Sequence, residues 1–491
     1  MGTVGRWDLV FPSCAPERAG DLFATAVVAD AVRRFDADLA QEVETCRNWQ
    51  SGYRTVFRAL TALAASSAPA ATGIAADGLH AARTLLRFAA GYSVAPLDSV
   101  ALGTVVDPAT DALETGRVDG TAEPLARLEV PYRGTVLAED SLRRELIEWR
   151  RRGIVEPGFA DAVGRVIDHP EWLALPGFRV IVAGAAALSP LRPLLRWGAE
   201  VLAVDLPGQR RWQELSQYAR AGAGVLRFPI TRGPGADLVR QFPALIHWIR
   251  GQFDDPAVRP VFGGYANRPG PHGVRLAAAT DLLAVDLLDY RADAALAFLG
   301  APTDCYAVPE SVVAQARERL FGHGLRGVLQ EALCVLTRSA LYTPNYGIEI
   351  TDELGARWSV ADALVTAQGP NHAMAQRIQR WRATVAQRAG HTVSFTVAPP
   401  TLAGRLPRSL AASYRGAHHF GIEVFESDTA RTLLAAKLVA DLNHPVRSHG
   451  NPEALFATGA VHGGLWRQPF EPRSILPVAM IAGYARGLLR R

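Results

Sequence analysis

Apolar residues recur at helical spacing through Phe23–Val43 and Tyr53–Ala65, which predicts a packed helical region at the start of the chain. Gly73, Gly78 and Gly91 interrupt the alanine-rich stretch that follows. Val105–Gly120 is rich in turn formers and reads as a surface connection. Leu142–Val155 and Phe159–Ile167 read as helices on either side of the Glu156-Pro157-Gly158 breaker. After His169-Pro170 the period changes. Arg179–Gly184 is a continuous apolar strand, Pro190–Trp197 a helix and Glu200–Asp205 a second strand, the order of a parallel crossover whose strands are buried on both faces.

The alternation continues with strands at Gly224–Phe228, Arg259–Phe262, Ala294–Leu299 and Thr392–Ala398, and with helices at Val274–Leu288, Ser311–Leu320 and Met374–Ala389. This pattern predicts an α/β protein built on a doubly wound, mostly parallel sheet with an additional N-terminal helical region. Pro399-Pro400 ends the last strand and leaves Thr401 on a loop, and a helix beyond Glu423 carries Lys437. Gly463, Gly464, Pro469 and Pro472 predict loops that cover the main domain. The expected division is 1–120 mainly helical, 121–174 a connecting helical segment, 175–440 the sheet domain and 441–491 a covering segment.

The chain's 491 residues, 49% of them apolar and 20% charged, exclude a disordered chain or a small disulfide scaffold and suit two or three domains. A formal charge of +4, from 52 basic and 48 acidic residues, provides no polybasic patch for nucleic acid or a membrane surface. Lys437 is the one lysine; every other basic residue is arginine. Cys14, Cys46, Cys305 and Cys334 are too scattered for a zinc ribbon, and reduced thiols are expected. The N-terminus has no secretory pattern, and the apolar stretch Ile475–Leu489 is broken by Arg486 and short of the roughly 20 residues a membrane helix needs. A cytoplasmic protein acting on a small molecule is expected, with self-association left open.

Candidate chemistry concentrates at the crossover. Gly184 ends the first strand and permits close backbone approach, Ser189 is placed to cap the next helix and to help bind a dinucleotide there, and Pro190 suits its first position. Asp205 ends the second strand, where a carboxylate can accept hydrogen bonds from a ribose diol. Arg210 and Arg211 just beyond it could instead meet a 2′-phosphate, so NAD is favoured and NADP stays open. The structural alternative is a crossover that binds nothing, with the arginines on a solvated turn.

With Pro170-Glu171-Trp172-Leu173, the Gly184-to-Asp205 crossover and Gly369-Pro370-Asn371-His372, the chain resembles the Rossmann-fold NAD(P)-binding superfamily, and within it a short-chain-dehydrogenase-like group of bacterial and plant proteins. The resemblance implies a Rossmann-like cofactor-binding sheet over about residues 170–440. It departs from the usual short-chain dehydrogenase at the catalytic pair. Tyr265 and Tyr290 are not followed by a lysine four residues on, so the amine that lowers a tyrosine pKa is missing.

Tyr265, Asn267, His272 and Arg275 form the leading reactive cluster: a phenol to donate a proton, an amide to orient substrate, an imidazole to relay and a guanidinium to hold an anion. A capping and turn network explains the same residues. Asp304 and Tyr306, flanking Cys305, are candidates for substrate contact or proton transfer, and Asn371 and Thr401 for loops aimed at a cleft. Packing and turn formation are the structural alternatives for each. His418, His419, His444, His449 and His462 lack a compact metal motif, so no metal is expected. The leading expectation is an NAD(P)-dependent oxidoreductase for a small or hydrophobic carbonyl or alcohol. The alternatives are a Rossmann-like methyltransferase or lyase, or a non-catalytic ligand-binding or assembly protein.

Overall fold

The computed structural model describes residues 7–12, 18–91, 93–100, 106, 111–185, 188–322, 336–337, 341–365, 368–402, 408–445 and 450–489. Ala186, Ala187, Cys14, Cys334 and His449 lie outside the described residues. The protein is mixed α/β. Strand β1 (Trp7–Val10) and helices α1 (Ala19–Val32), α2 (Ala37–Thr45), α3 (Trp49–Ser66) and α4 (Ala68–Leu85) lead to β2 (Arg87–Ala90) and β3 (Ser93–Pro96), which close a small antiparallel sheet with β1.

Helix α4 runs unbroken through Gly73 and Gly78, contrary to the expectation that they interrupt it. A Cβ on Gly73 would stand 2.2 Å from the Phe35 ring, and one on Gly78 2.5 Å from the Trp381 ring. Each glycine costs the helix about 0.5–1 kcal/mol of propensity, and in return lets an aromatic ring lie against the backbone.

Next come β4 (Glu114–Asp119), the hairpin β5 (Glu129–Tyr132) and β6 (Thr135–Ala138), and helices α5 (Glu139–Arg151) and α6 (Pro157–Asp168). The crossover series follows: β7 (Phe178–Ala183), α7 (Leu191–Trp197), β8 (Glu200–Val204), α8 (Gln209–Arg220), β9 (Val225–Ile230), α9 (Phe242–Arg250), β10 (Arg259–Gly264), α10 (Pro271–Tyr290) and β11 (Ala295–Gly300). A second small antiparallel sheet, β12 (Cys305–Pro309), β13 (Glu349–Thr351) and β14 (Arg357–Asp362), is inserted there together with α11 (Glu310–Gly322). The chain ends with α12 (Gly369–Arg388), β15 (Val393–Val397), α13 (Arg408–Gly416), α14 (Ser427–Asn443), α15 (Ala454–Ala457) and α16 (Pro472–Leu489).

The main sheet has seven strands in the order β15-β11-β10-β7-β8-β9-β4. All neighbours are parallel except β4, which runs antiparallel to β9. From β7 the chain steps outward through β8 and β9. It then returns to the other side of β7 and steps outward again through β10, β11 and β15. The order therefore reverses between β7 and β10.

Side-chain alternation along each strand feeds two cores. Ile181, Ala183, Leu202, Phe262 and Leu296 join α1, α9, α10 and α12 on one face. Val180, Val182, Val201, Ala203 and Val261 join α5, α6, α7, α8 and α14 on the other. The N-terminal helices pack onto α12 and share the first core.

Three expectations are corrected. The sheet begins before residue 175, because Glu114–Asp119, within the expected surface connection, is its antiparallel edge. This strand is polar, as exposed edges tend to be, so it lacks the apolar run that marks its neighbours. Helix α7 starts at Leu191 with Pro190 as its N-cap and no side-chain cap, so Ser189 does not cap it. The covering segment is not mainly loop, because α16 is an 18-residue helix packed on α13. Their backbones meet closely: a Cβ on Gly483 would lie 2.0 Å from the Ala412 carbonyl oxygen. Among the described residues no helix is long and apolar enough to cross a membrane.

Candidate functional site

Where strand order reverses, the loops leaving neighbouring strands diverge and open a crevice at the carboxyl ends. Here that crevice encloses about 220 Å³. Gly184 follows β7, Asp205 and Leu206 follow β8, Asp237 and Leu238 follow β9, and Ala266, Asn267 and Arg268 follow β10. Arg211 from α8 and His272 and Leu276 from α10 complete it.

Gly184 has φ 92°, and a Cβ there would lie 2.4 Å from the Ala266 Cα. Only glycine fits this turn and lets the loops after β7 and β10 touch. Its N–H donates to the Val204 carbonyl at 2.8 Å, and the Tyr265 N–H donates to the Ala183 carbonyl at 2.9 Å. The turn is thereby stitched to the ends of both neighbouring strands.

Asp205 organises the crevice floor. Its Oδ2 accepts from the Ala185 N–H at 2.9 Å, and Oδ1 accepts from the Leu206 N–H at 2.7 Å and from Arg211 Nη1 at 2.6 Å. Its backbone carbonyl accepts from the Ala236 N–H at 2.9 Å, which draws in the loop after β9. There Asp237 Oδ1 accepts from the Val239 and Arg240 N–H groups, forming the turn that leads into α9. One carboxylate thus holds the β7 turn by its side chain and the β9 loop by its main chain.

His272 is half-buried. Its Nδ1 accepts from Arg275 Nη2 at 3.2 Å, because a guanidinium can only donate, and the imidazole proton is thereby assigned to Nε2. Burial, followed by the nearby Arg275 charge, holds the imidazole below its ordinary pKa. Arg275 itself turns away from the crevice: Nη1 donates to the Leu9 carbonyl at 3.0 Å and faces Asp8 at 3.3 Å, tying α10 to β1.

Gly184 and Asp205, read as one group, and Asn267 and His272, read as another, line the same crevice. The others do not line this crevice. Tyr265 is buried in the opposite core, and burial alone raises its phenol above the ordinary value. Arg210 is an exposed side chain paired with Glu214 at 3.0 Å. Ser189 lines an adjoining cavity of about 270 Å³ with Arg192, Arg431 and Arg211, the last shared with the crevice.

Asp304 is fully buried between Arg377, at 3.2 Å, and Arg380, at 3.5 Å. Tyr306 donates its hydroxyl proton to the Ala301 carbonyl at 2.9 Å beneath the Arg380 guanidinium. Burial raises its pKa, as it does that of the Cys305 thiol. Asn371 Oδ1 is buried near Gly20 with no hydrogen-bond partner among the described residues, and Thr401 donates to the Pro399 carbonyl at 2.8 Å. Tyr306 thus braces the chain just after β11, and Thr401 the chain just after β15. Beside them a narrow apolar recess of about 60 Å³ is lined by Thr303, Gln368, Pro400, Tyr414, Phe420 and Ile475.

Sequence reasoning missed Asp237 and Arg268. The Gly233-Pro234-Gly235-Ala236-Asp237 turn after a strand carried a usable signal for the first; Arg268, one of many arginines, carried none. Among the described residues no three of His, Cys, Asp and Glu are grouped to hold a metal. His462 is instead buried against Glu156 at 2.8 Å. Compared with known proteins, the chain matches no protein-family model and no curated protein.

Proposed function

We propose that the crevice binds the adenosine end of NAD or NADP, and that the protein is a Rossmann-like NAD(P)-dependent oxidoreductase acting on a small or hydrophobic carbonyl or alcohol. The observation that carries this reading is the placement of Gly184 and Asp205 side by side where the strand order reverses. Counted from β7, the parallel strands run 3-2-1-4-5-6, the order associated with dinucleotide binding at that point.

The fit is to a nucleoside. A volume of about 220 Å³ is below the roughly 300–1,000 Å³ of whole-ligand pockets, so the rest of a dinucleotide would extend beyond the crevice. Three of the roughly four acceptor sites of Asp205 are taken, which leaves one on Oδ2 for a ribose hydroxyl, while Leu206, Leu238 and Leu276 offer an apolar wall to a base. Phosphate charge would be met by guanidiniums. The Ala185 amide is already taken by Asp205, and the seven-residue α7 begins after a proline. Arg211 stands between Asp205 and the arginine-lined cavity, so it is the residue that would weigh NAD against NADP.

The bound nicotinamide would supply hydride transfer. His272 lines the crevice assigned to the adenosine end, and Arg275 keeps its Nε2 protonated and able to donate to the nucleoside there. Calorimetric titration with NAD, NADP and S-adenosylmethionine tests the reading, joined to a screen for substrate-dependent change in nicotinamide absorbance. Binding of either dinucleotide, lost in Asp205→Ala, is expected, and binding of neither rejects it.

The nucleoside-sized volume and the burial of Tyr265 outside the crevice favour one second reading, a methyltransferase using the same pocket for an adenosyl cofactor. S-adenosylmethionine binding with methyl transfer would select it.

A further inference from the structure

A separate cavity of about 300 Å³ lies against β15, the outer parallel strand of the sheet, between α6, α14 and α15. Val393, Phe395 and Leu455 form its apolar wall; Arg165, Lys437 and Asp441 line its polar side together with Asp161, Gln387 and Thr458. Lys437 is the only lysine among the 52 basic residues and is 7% exposed. Its Nζ donates to Asp441 Oδ1 and Oδ2 at 2.5 Å, and Asp441 Oδ2 also accepts from Ser394 Oγ at 2.7 Å. A Cβ on Gly459 would stand 3.0 Å from Nζ, so glycine there keeps the space beside the amine open. Arg165 has no ion-pair partner among the described residues.

Elsewhere in this chain every ion pair and fixed positive charge on a side chain other than histidine is served by arginine. A guanidinium stays protonated and does not condense with carbonyl compounds, whereas a primary amine does so once it gives up a proton. The amine lies in a cavity beside a carboxylate that can take that proton. The unpaired Arg165 in the same wall is suited to an anionic substituent, and Phe395 and Leu455 to a short apolar one.

We propose that this cavity binds a small 2-oxo acid and that Lys437 forms an imine with its carbonyl carbon. Asp441 removes a proton from the Lys437 ammonium, and Nζ adds to the carbonyl carbon to form a carbinolamine. The carbinolamine oxygen, protonated in turn, departs as water while the C=N bond forms. The net change is ammonium plus ketone to protonated imine plus water, with no oxidant or reductant consumed. Arg165 pairs with the carboxylate of the acid, and Ser394 holds Asp441 toward the amine. The inference is independent of the nucleotide reading of the crevice.

The test uses the whole protein, pyruvate as probe and cyanoborohydride to reduce the imine to a stable secondary amine. Peptide mass mapping separates Lys437 from an N-terminal amine. The expected result is one carboxyethyl group on Lys437, saturating with pyruvate and formed at least about tenfold faster than on free Nα-acetyl-lysine. Acetone, which lacks the carboxylate, should label about tenfold more slowly, and Arg165→Gln should raise the half-saturating pyruvate concentration by a similar factor. Labelling confined to the N-terminus overturns the proposal. So does Lys437 labelling that is linear in pyruvate and no faster than on the free amino acid, and equal labelling by acetone overturns the 2-oxo acid assignment.

Discussion

Asp205→Asn preserves shape and removes charge, and it separates the two tasks assigned to this carboxylate. The native side chain satisfies the Ala185 and Leu206 amides and pairs with Arg211. An amide has one accepting oxygen, so one backbone N–H loses its partner and faces an NH₂ donor instead. A hydrogen bond to a charged group contributes about 1.5–3 kcal/mol. The Arg211 side chain is 49% exposed, so its pairing adds only about 0–1 kcal/mol. The local loss is therefore about 1.5–4 kcal/mol at the turn after β7, or roughly 10- to 700-fold in its opening equilibrium. Amide hydrogen exchange at Ala185 and Leu206 should speed up by that factor, while strands β10 and β11 keep their protection. NAD affinity, measured by calorimetry, should fall by at least about tenfold, because the acceptor proposed for the ribose is lost with the charge. Unchanged exchange at both amides would refute the structural role. Accelerated exchange with unaltered NAD affinity would refute the ribose contact while leaving the structural role intact.

Gly184→Ala must adopt φ 92° and push a methyl group toward the Ala266 backbone, a cost of at least about 1–3 kcal/mol. A lower thermal midpoint and abolished nucleotide binding are expected, and a wild-type midpoint would contradict the turn geometry. Tyr265→Phe should leave nucleotide binding and turnover unchanged, since the phenol lies in the other core; turnover lost with binding intact would return it to the chemistry. Burial holds His462 down to about 4, against an ordinary 6.5, despite Glu156 beside it. The unfolded chain therefore takes up its proton first. Stability from this group is complete above about pH 6.5 and declines by up to about 3 kcal/mol as pH falls toward 4, below which it changes no further. Urea midpoints across that window should fall for the wild type and fall less for His462→Gln; parallel curves would dismiss the linkage. Glu156, held below its ordinary value by His462 and Arg467 against the opposing effect of burial, adds its own loss once pH falls below about 4.5.

The crossover strands were legible because parallel strands covered on both faces are runs of apolar residues, and β7, β8, β10 and β11 are such runs. The edge strand β4 was not, because Glu114, Thr115, Arg117 and Asp119 carry no apolar run. The glycines of α4 misled for a related reason. Their effect on propensity is local and readable, whereas the rings of Phe35 and Trp381 that occupy the vacated space come from elsewhere in the chain.

At the site, a glycine closing one strand and an acid closing the next marked Gly184 and Asp205, since adjacent parallel strands bring their carboxyl ends together. Tyr265 and Asn267 are two residues apart in sequence, yet the first enters the core of one face while the second lines the crevice. Asp304 and Tyr306 occupy the expected side of the sheet but are enclosed by Arg377 and Arg380, which lie about seventy residues away.

By itself the sequence determined the apolar parallel strands of the crossover series, since burial on both faces follows from local pattern. It also determined that one primary amine would stand among arginines. Only the tertiary structure decided where strand order reverses, which polar side chains reach the crevice and which are spent on one another. Those outcomes depend on contacts between distant segments, whose partners no local pattern records.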